Sequence, residues 1–263
     1  MHISVKNILD DCVVRFNNTA FIENDPISIP HQYTKPQDIE ITAFWTAMLA
    51  WGQRKTIINS ATKLFNLMDN APHDFILNHQ ERDRQRFTEF KHRTFQPIDA
   101  IYFIAFLQNF YQTHTSLETA FIPDNPQNGK FFLENALISF HKSFFSLPYA
   151  PDRTRKHVAS PLTKSTCKRL CMFLRWMVRK DDMGVDFGIW QRISTADLMM
   201  PLDVHVERQA RRLGLIERAQ TDWLTVIELT NNLKQFDPLD PVKYDFALFG
   251  MGILEKDMKY NFV

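Results

Sequence analysis

Glycine is scarce, with seven residues in 263. A phosphate loop of the G-x-G-x-x-G or Walker kind needs bare backbone at several neighbouring positions, and neither pattern occurs. Cysteine is scarcer: Cys12, Cys167 and Cys171 are an odd number, poorly spaced for a disulfide framework. No four-cysteine zinc or iron–sulfur pattern exists. Net charge is nearly absent, because 31 Lys and Arg face 30 Asp and Glu. A nucleic-acid partner must therefore be met by a local patch. No apolar run reaches the ~18 residues of a membrane span. "MHISVKNILDDC" carries an acidic pair where a signal peptide needs an apolar region. These absences describe a cytoplasmic protein with reduced thiols, no membrane contact, no cofactor and no metal.

Strand alternation and internal repeats are missing too, and what remains has a helical period. "ITAFWTAMLAWG" puts Phe44, Ala47, Met48 and Trp51 on one face, with Asp38 as a start and Gly52 as a stop. Ile57, Ala61, Leu64, Phe65 and Met68 repeat the pattern. Residues 100–111, "AIYFIAFLQNFY", are apolar nearly all round, as a central buried helix would be. Leu133, Ala136, Leu137, Phe140 and Phe144 form another stripe, and Cys167, Leu170, Cys171, Leu174, Met177 and Val178 a further one. Asp240-Pro241 and Thr221-Asp222 look like helix starts. Two loops stand out, "PDNPQNGK" (123–130) and the long, basic "SLPYAPDRTRKHVASPLTKS" (146–165). The fold class is all-α.

Two segments carry chemistry. In "MMPLDVHVERQARRLGLI" (199–216), Asp203 stands at the mouth of a helix whose inner face is Leu202, Val206, Ala210 and Leu213 and whose stop is Gly214. An N-cap explains an aspartate there for ~1 kcal/mol. A cap does not exclude a second role. In "SPLTKSTCKRLCMFLRWMVRK" (160–180), Lys164, Lys168, Arg175 and Arg179 recur at spacings of four, seven and four, along one helix face. Arg153, Arg155 and Lys156 lie upstream, and Trp176 and Met172 fall outside the apolar stripe. A solvated face is the bland reading. Cations interleaved with a large aromatic also suit a surface that meets phosphates and bases.

"PLDVHVERQARRLGL" and "CKRLCMFLRWMV" together resemble the helix-hairpin-helix DNA glycosylase superfamily. The long connector between them looks like that of the archaeal oxoguanine glycosylase branch. "KRLCMFLRWMVR", "PLDVHV" and "DPVKYDFALFGMG" resemble, over most of the chain, a bacterial family of unassigned function usually grouped with it. The resemblance implies a two-lobed fold with a cleft that receives an extruded base. Residues 38–200 would form one lobe with the hairpin, and 1–37 plus 201–263 a second, built from both chain ends. Asp203 would stabilise the cation-like transition state, helped to stay ionised by its helix N-terminus. Lys168 would form a Schiff base with the sugar. Gln53, with Arg54 beside it, would plug the gap left by the flipped base. Lys164, Ser165, Arg169, Arg175 and Arg179 would contact nucleic acid. The implied activity is base excision by a monomer on lesion-bearing double-stranded DNA, with or without strand cleavage.

The usual hairpin is glycine-rich, and "SPLTKSTCK" has no glycine; Ser160, Thr163, Ser165 and Lys164 would have to substitute. Arg169 stands where many members have a small residue. Three rivals remain: a non-catalytic nucleic-acid-binding protein, an enzyme acting on RNA, and a helical protein–protein module. Tyr244 and Asp245 could reach a pocket but read first as core residues, and His205 is a site residue or a capping-turn residue.

Overall fold

A computed structural model describes residues 4–123 and 133–254. Residues 124–130 of the expected loop at 123–130 lie outside the described residues. The fold is all-helical. Its helices are α1 (Val5–Phe16), α2 (Pro36–Leu49), α3 (Arg54–Asn66), α4 (Pro72–Asn78), α5 (Pro97–Tyr111), α6 (Leu133–Phe144), α7 (Lys168–Val178), α8 (Val204–Arg212), α9 (Trp223–Lys234) and α10 (Tyr244–Leu254). Short 3-10 turns join them, and the described residues hold no strand, only one isolated bridge between His92 and Phe95. No helix among the described residues is long and apolar enough to cross a membrane.

The chain divides into two compact units, Met1–Phe21 with Pro161–Val263, and Ile22–Ser160. Both chain ends share the first unit. The boundaries implied by resemblance, after residues 37 and 200, fall inside these units. Segment 161–200 joins the chain ends because its helix α7 is ion-paired and stacked against α10.

In the continuous unit, α2 and α5 are buried almost all round. α5 is apolar nearly all round, and the buried Glu40 of α2 accepts from the Tyr111 hydroxyl at 2.7 Å and the Leu117 N–H at 2.9 Å. Phe44 of α2 stacks on Phe103 of α5 at 5.5 Å between ring centroids, and Phe144 of α6 meets Phe103 edge-on at 4.8 Å. Such ring pairs contribute about 0.5–1.5 kcal/mol beyond simple burial. Pro97 and Asp99 start α5, with Asp99 accepting from the Gln96 N–H at 2.8 Å. The same carboxylate accepts from Arg153 at 2.6 Å and from the Thr154 hydroxyl at 2.7 Å. Arg153 of the long basic loop is therefore tied down, and that loop is ordered into the 3-10 turns Asp152–Lys156 and Pro161–Thr163.

In the discontinuous unit α10 is central, packed by α1 and α8. Phe246, Ala247 and Leu248 are fully buried. Each large apolar side chain removed from water stabilises the fold by about 1.5–3 kcal/mol. Two glycines set the closeness of approach. A Cβ on Gly250 would strike the Phe16 ring of α1, and one on Gly252 would come within 2.8 Å of the His205 Cβ of α8.

Candidate functional site

Asp203 is the N-cap of α8. Its backbone is extended, at φ −110° and ψ 179°, and its Oδ1 accepts from the N–H groups of His205 at 2.8 Å and Val206 at 2.9 Å. Oδ2 takes no hydrogen bond among the described residues. The cap thus occupies one oxygen and leaves the other, on a half-buried side chain, for a second partner. Leu202, Val206 and Ala210 anchor the helix in the core. Gly214, at φ +70°, ends it, with the Leu215 N–H donating to the Ala210 carbonyl at 2.8 Å.

Lys168 is the first residue of α7. The turn leading into it is unusual. Lys164 and Cys167 both adopt left-handed backbone, at φ +59° and +49°. A non-glycine residue held there costs about 1–3 kcal/mol. The Lys164 N–H donates to the Pro161 carbonyl at 2.8 Å, and the Cys167 N–H to the Ser165 hydroxyl oxygen at 3.1 Å. Lys164 is exposed, while the Ser165 hydroxyl serves the turn itself. The half-buried Lys168 amine lies 3.5 Å from the Met172 sulfur and has no carboxylate within ion-pair distance among the described residues. Burial draws Arg169 down to about 10.

Both helix starts act on a third residue, Asp245, in the first turn of α10. Asp245 is buried, and burial raises its carboxyl to about 6. Arg175 opposes that rise, Asp203 adds to it and Lys168 opposes it. Lys168 and Asp203, both singled out in the sequence, thus both bear on the charge of Asp245. Asp245 reads as a core residue from its apolar surroundings. The available signal was a carboxylate in the otherwise apolar "YDFALFGMG".

The expected basic face needs correction. Arg175 and Arg179 are buried, at 3% and 2% exposure, and so is Trp176. The chain after α7 folds back over this side, with the Phe187 N–H donating to the Trp176 carbonyl at 2.8 Å and the Trp190 N–H to that of Met177 at 2.9 Å. Asp186 arrives between the two arginines. Arg175 Nε donates to it at 3.2 Å and Arg179 Nη1 at 3.1 Å. Arg175 also donates to Asp245, and Arg179 to Asp181 at 2.7 Å and Asp240 at 3.0 Å. Against the cost of burial, Asp186, Asp240 and Asp181 hold Arg179 above its usual value. Burial lifts Asp186 above the ordinary carboxylate range despite its two guanidiniums. These arginines have carboxylates for partners and are not a nucleic-acid surface.

Gln53 and Arg54 belong to the other unit. Gln53 is the exposed N-cap residue of α3, and its side chain makes no cap bond. Arg54 is the first residue of that helix.

A family model covers residues 25–254. The chain belongs to the DUF2400 family of proteins of unknown function. No curated protein and no solved structure matches this DUF2400 chain. The residues of the DUF2400 match include Lys168, Asp203, Asp245 and the whole buried arginine network.

Proposed function

We propose that this DUF2400 protein is a DNA base-excision glycosylase with associated abasic-site lyase activity, acting on a damaged or modified base in double-stranded DNA. The observation that carries the reading is that Lys168 and Asp203, each at a helix start, both bear electrostatically on the buried Asp245. A base must leave the stack before its glycosidic bond can be reached. The Oδ2 of Asp203, not used by the cap, stabilises positive charge on the sugar as the C1′–N bond breaks and the base departs with the electron pair. The Lys168 amine then bonds to C1′ and gives up a proton, the C1′–O4′ bond breaks with its electron pair leaving on O4′, which is protonated to a hydroxyl, and the resulting Schiff base is the species from which strand cleavage follows. Left-handed backbone at Lys164 and Cys167 supports the same reading, since it is the conformation that glycines supply in a phosphate-holding hairpin.

The test is borohydride trapping on DNA carrying an abasic site and a panel of lesions, wild type beside Lys168→Gln. A covalent adduct that the variant fails to form is expected. No adduct and no released base from any substrate would overturn the proposal. Salt-sensitive binding that survives in that case would point to a non-catalytic or RNA-directed protein.

A further inference from the structure

A cavity of about 380 Å³ opens beside the start of α3, lined by Asn24, Arg54, Lys55, Ile58 and Asn59. It lies in the continuous unit, and its chemistry does not depend on that of Lys168 and Asp203. Two cations, two carboxamides and one aliphatic side chain make up the lining. Lys55 is exposed and has no carboxylate partner among the described residues.

A second, separate group of observations adds positive charge to the same turn. The Arg93 guanidinium sits 4.9 Å from the centre of the Trp51 ring. It packs so closely on Gly52 that a Cβ there would fall 2.5 Å from its Nη1. Gly52 holds φ +108°, which side chains rarely adopt, so glycine both makes this turn and admits the arginine. No carboxylate pairs with Arg93 among the described residues. The N–H groups of residues 54–56 receive no side-chain cap from Gln53 and add donors to the positive field. Asp25, beside Asn24, accepts from the Ile27 N–H at 3.1 Å through one carboxylate oxygen.

We infer that this cavity is a phosphate-binding site and that its ligand is a phosphodiester of a nucleic-acid strand. Arg54 and Lys55 supply charge, and Asn24 and Asn59 supply amide donors to non-bridging or sugar oxygens. A volume of this size exceeds that of a lone phosphate and has room for an adjoining sugar. Arg93 on Trp51 extends the positive field to the next phosphate.

The experiment uses the full chain with inorganic phosphate, a mononucleotide and a short labelled duplex. Phosphorus line broadening reads the first two, and anisotropy across a salt series reads the third. The variants are Arg54→Gln with Lys55→Gln, and separately Asn59→Asp, which sets a negative charge in the cavity with little change of volume on an exposed side chain. Wild type is expected to broaden the phosphate signal, and both variants to lose that effect. Duplex affinity should fall roughly tenfold, and the double variant's log–log salt slope should become shallower by about 1–2. Phosphate or mononucleotide binding that the variants lose, with duplex binding unchanged, would overturn the nucleic-acid source and assign the cavity to a small phosphate ester. Binding of every probe equal to wild type in both variants would overturn the site altogether. Lys168→Gln keeps the phosphate effect. A chain that traps no adduct yet still broadens phosphate would lose the glycosylase reading and keep this one.

Discussion

Arg175 in the middle of α7 donates to the carboxylate of Asp245 in the first turn of α10. The same guanidinium holds Asp186 and lies 4.4 Å from the centre of the Phe246 ring. Removing one member of a buried ionic group leaves the other charges in a low-dielectric interior without compensation. Arg175→Ala is expected to cost about 3–5 kcal/mol, read as the loss in unfolding free energy in urea. A loss under about 1 kcal/mol would mean that the network is hydrated.

Asp245 gives a pH dependence of known sign. Its carboxyl rises from 3.8 to about 6, chiefly through burial, so the folded chain holds that proton more tightly than the unfolded chain. Its contribution to stability is complete below 3.8 and is lost as pH rises through about 6. Asp245→Asn mimics the protonated state at every pH. The stability of wild type relative to this variant should fall by on the order of 1–3 kcal/mol between those limits. Carbon-detected titration of the carboxyl should show a midpoint near 6. A midpoint at the ordinary carboxylate value would refute the assignment.

Asp203 separates two roles by substitution. Asparagine keeps a carbonyl oxygen for the His205 and Val206 N–H groups, whereas alanine removes it. Asp203→Ala should lower stability by ~1 kcal/mol, and Asp203→Asn by much less. Both should reduce base release by about 100-fold or more. Full activity in Asp203→Asn would leave this residue as a cap alone.

Gly252 tests how tightly the site is built. A methyl group added there meets His205 at 2.8 Å, two residues from Asp203. Gly252→Ala should destabilise by about 1–3 kcal/mol through overpacking and shift the start of α8. Amide chemical shifts at His205 and Val206 should move. An unperturbed spectrum would mean that α10 yields instead.

Much of the fold is legible in apolar spacing. Stripes such as Leu133 to Phe144 and the all-round apolar run of α5 declare their helices, and Asp203, Gly214 and Asp240 declare their ends. The buried arginines are not legible. Arg175 and Arg179 fall on the polar side of a helical wheel, and the carboxylates that make burial tolerable come from Asp186, Asp240 and Asp245, in other parts of the chain. Helical period reports which residues share a face, and it says nothing about what the chain later lays over that face. Lys168 and Asp203 are singled out by motif resemblance, whereas Asp245, within reach of a pocket in the sequence reading, takes a core role because of its apolar neighbours. α2 begins at Pro36, slightly before Asp38, because proline suits the first helical position.

The packing of α1 on α10 has a consequence for synthesis. Helix α1 must wait for α10 while the whole of Ile22–Ser160 is made and able to fold. The neighbourhood of Lys168 and Asp203 acquires Asp245 only when α10 emerges. A chain interrupted before that point carries both helix starts without the carboxylate on which both bear, so translation itself delays the assembly of this centre until α10 is made.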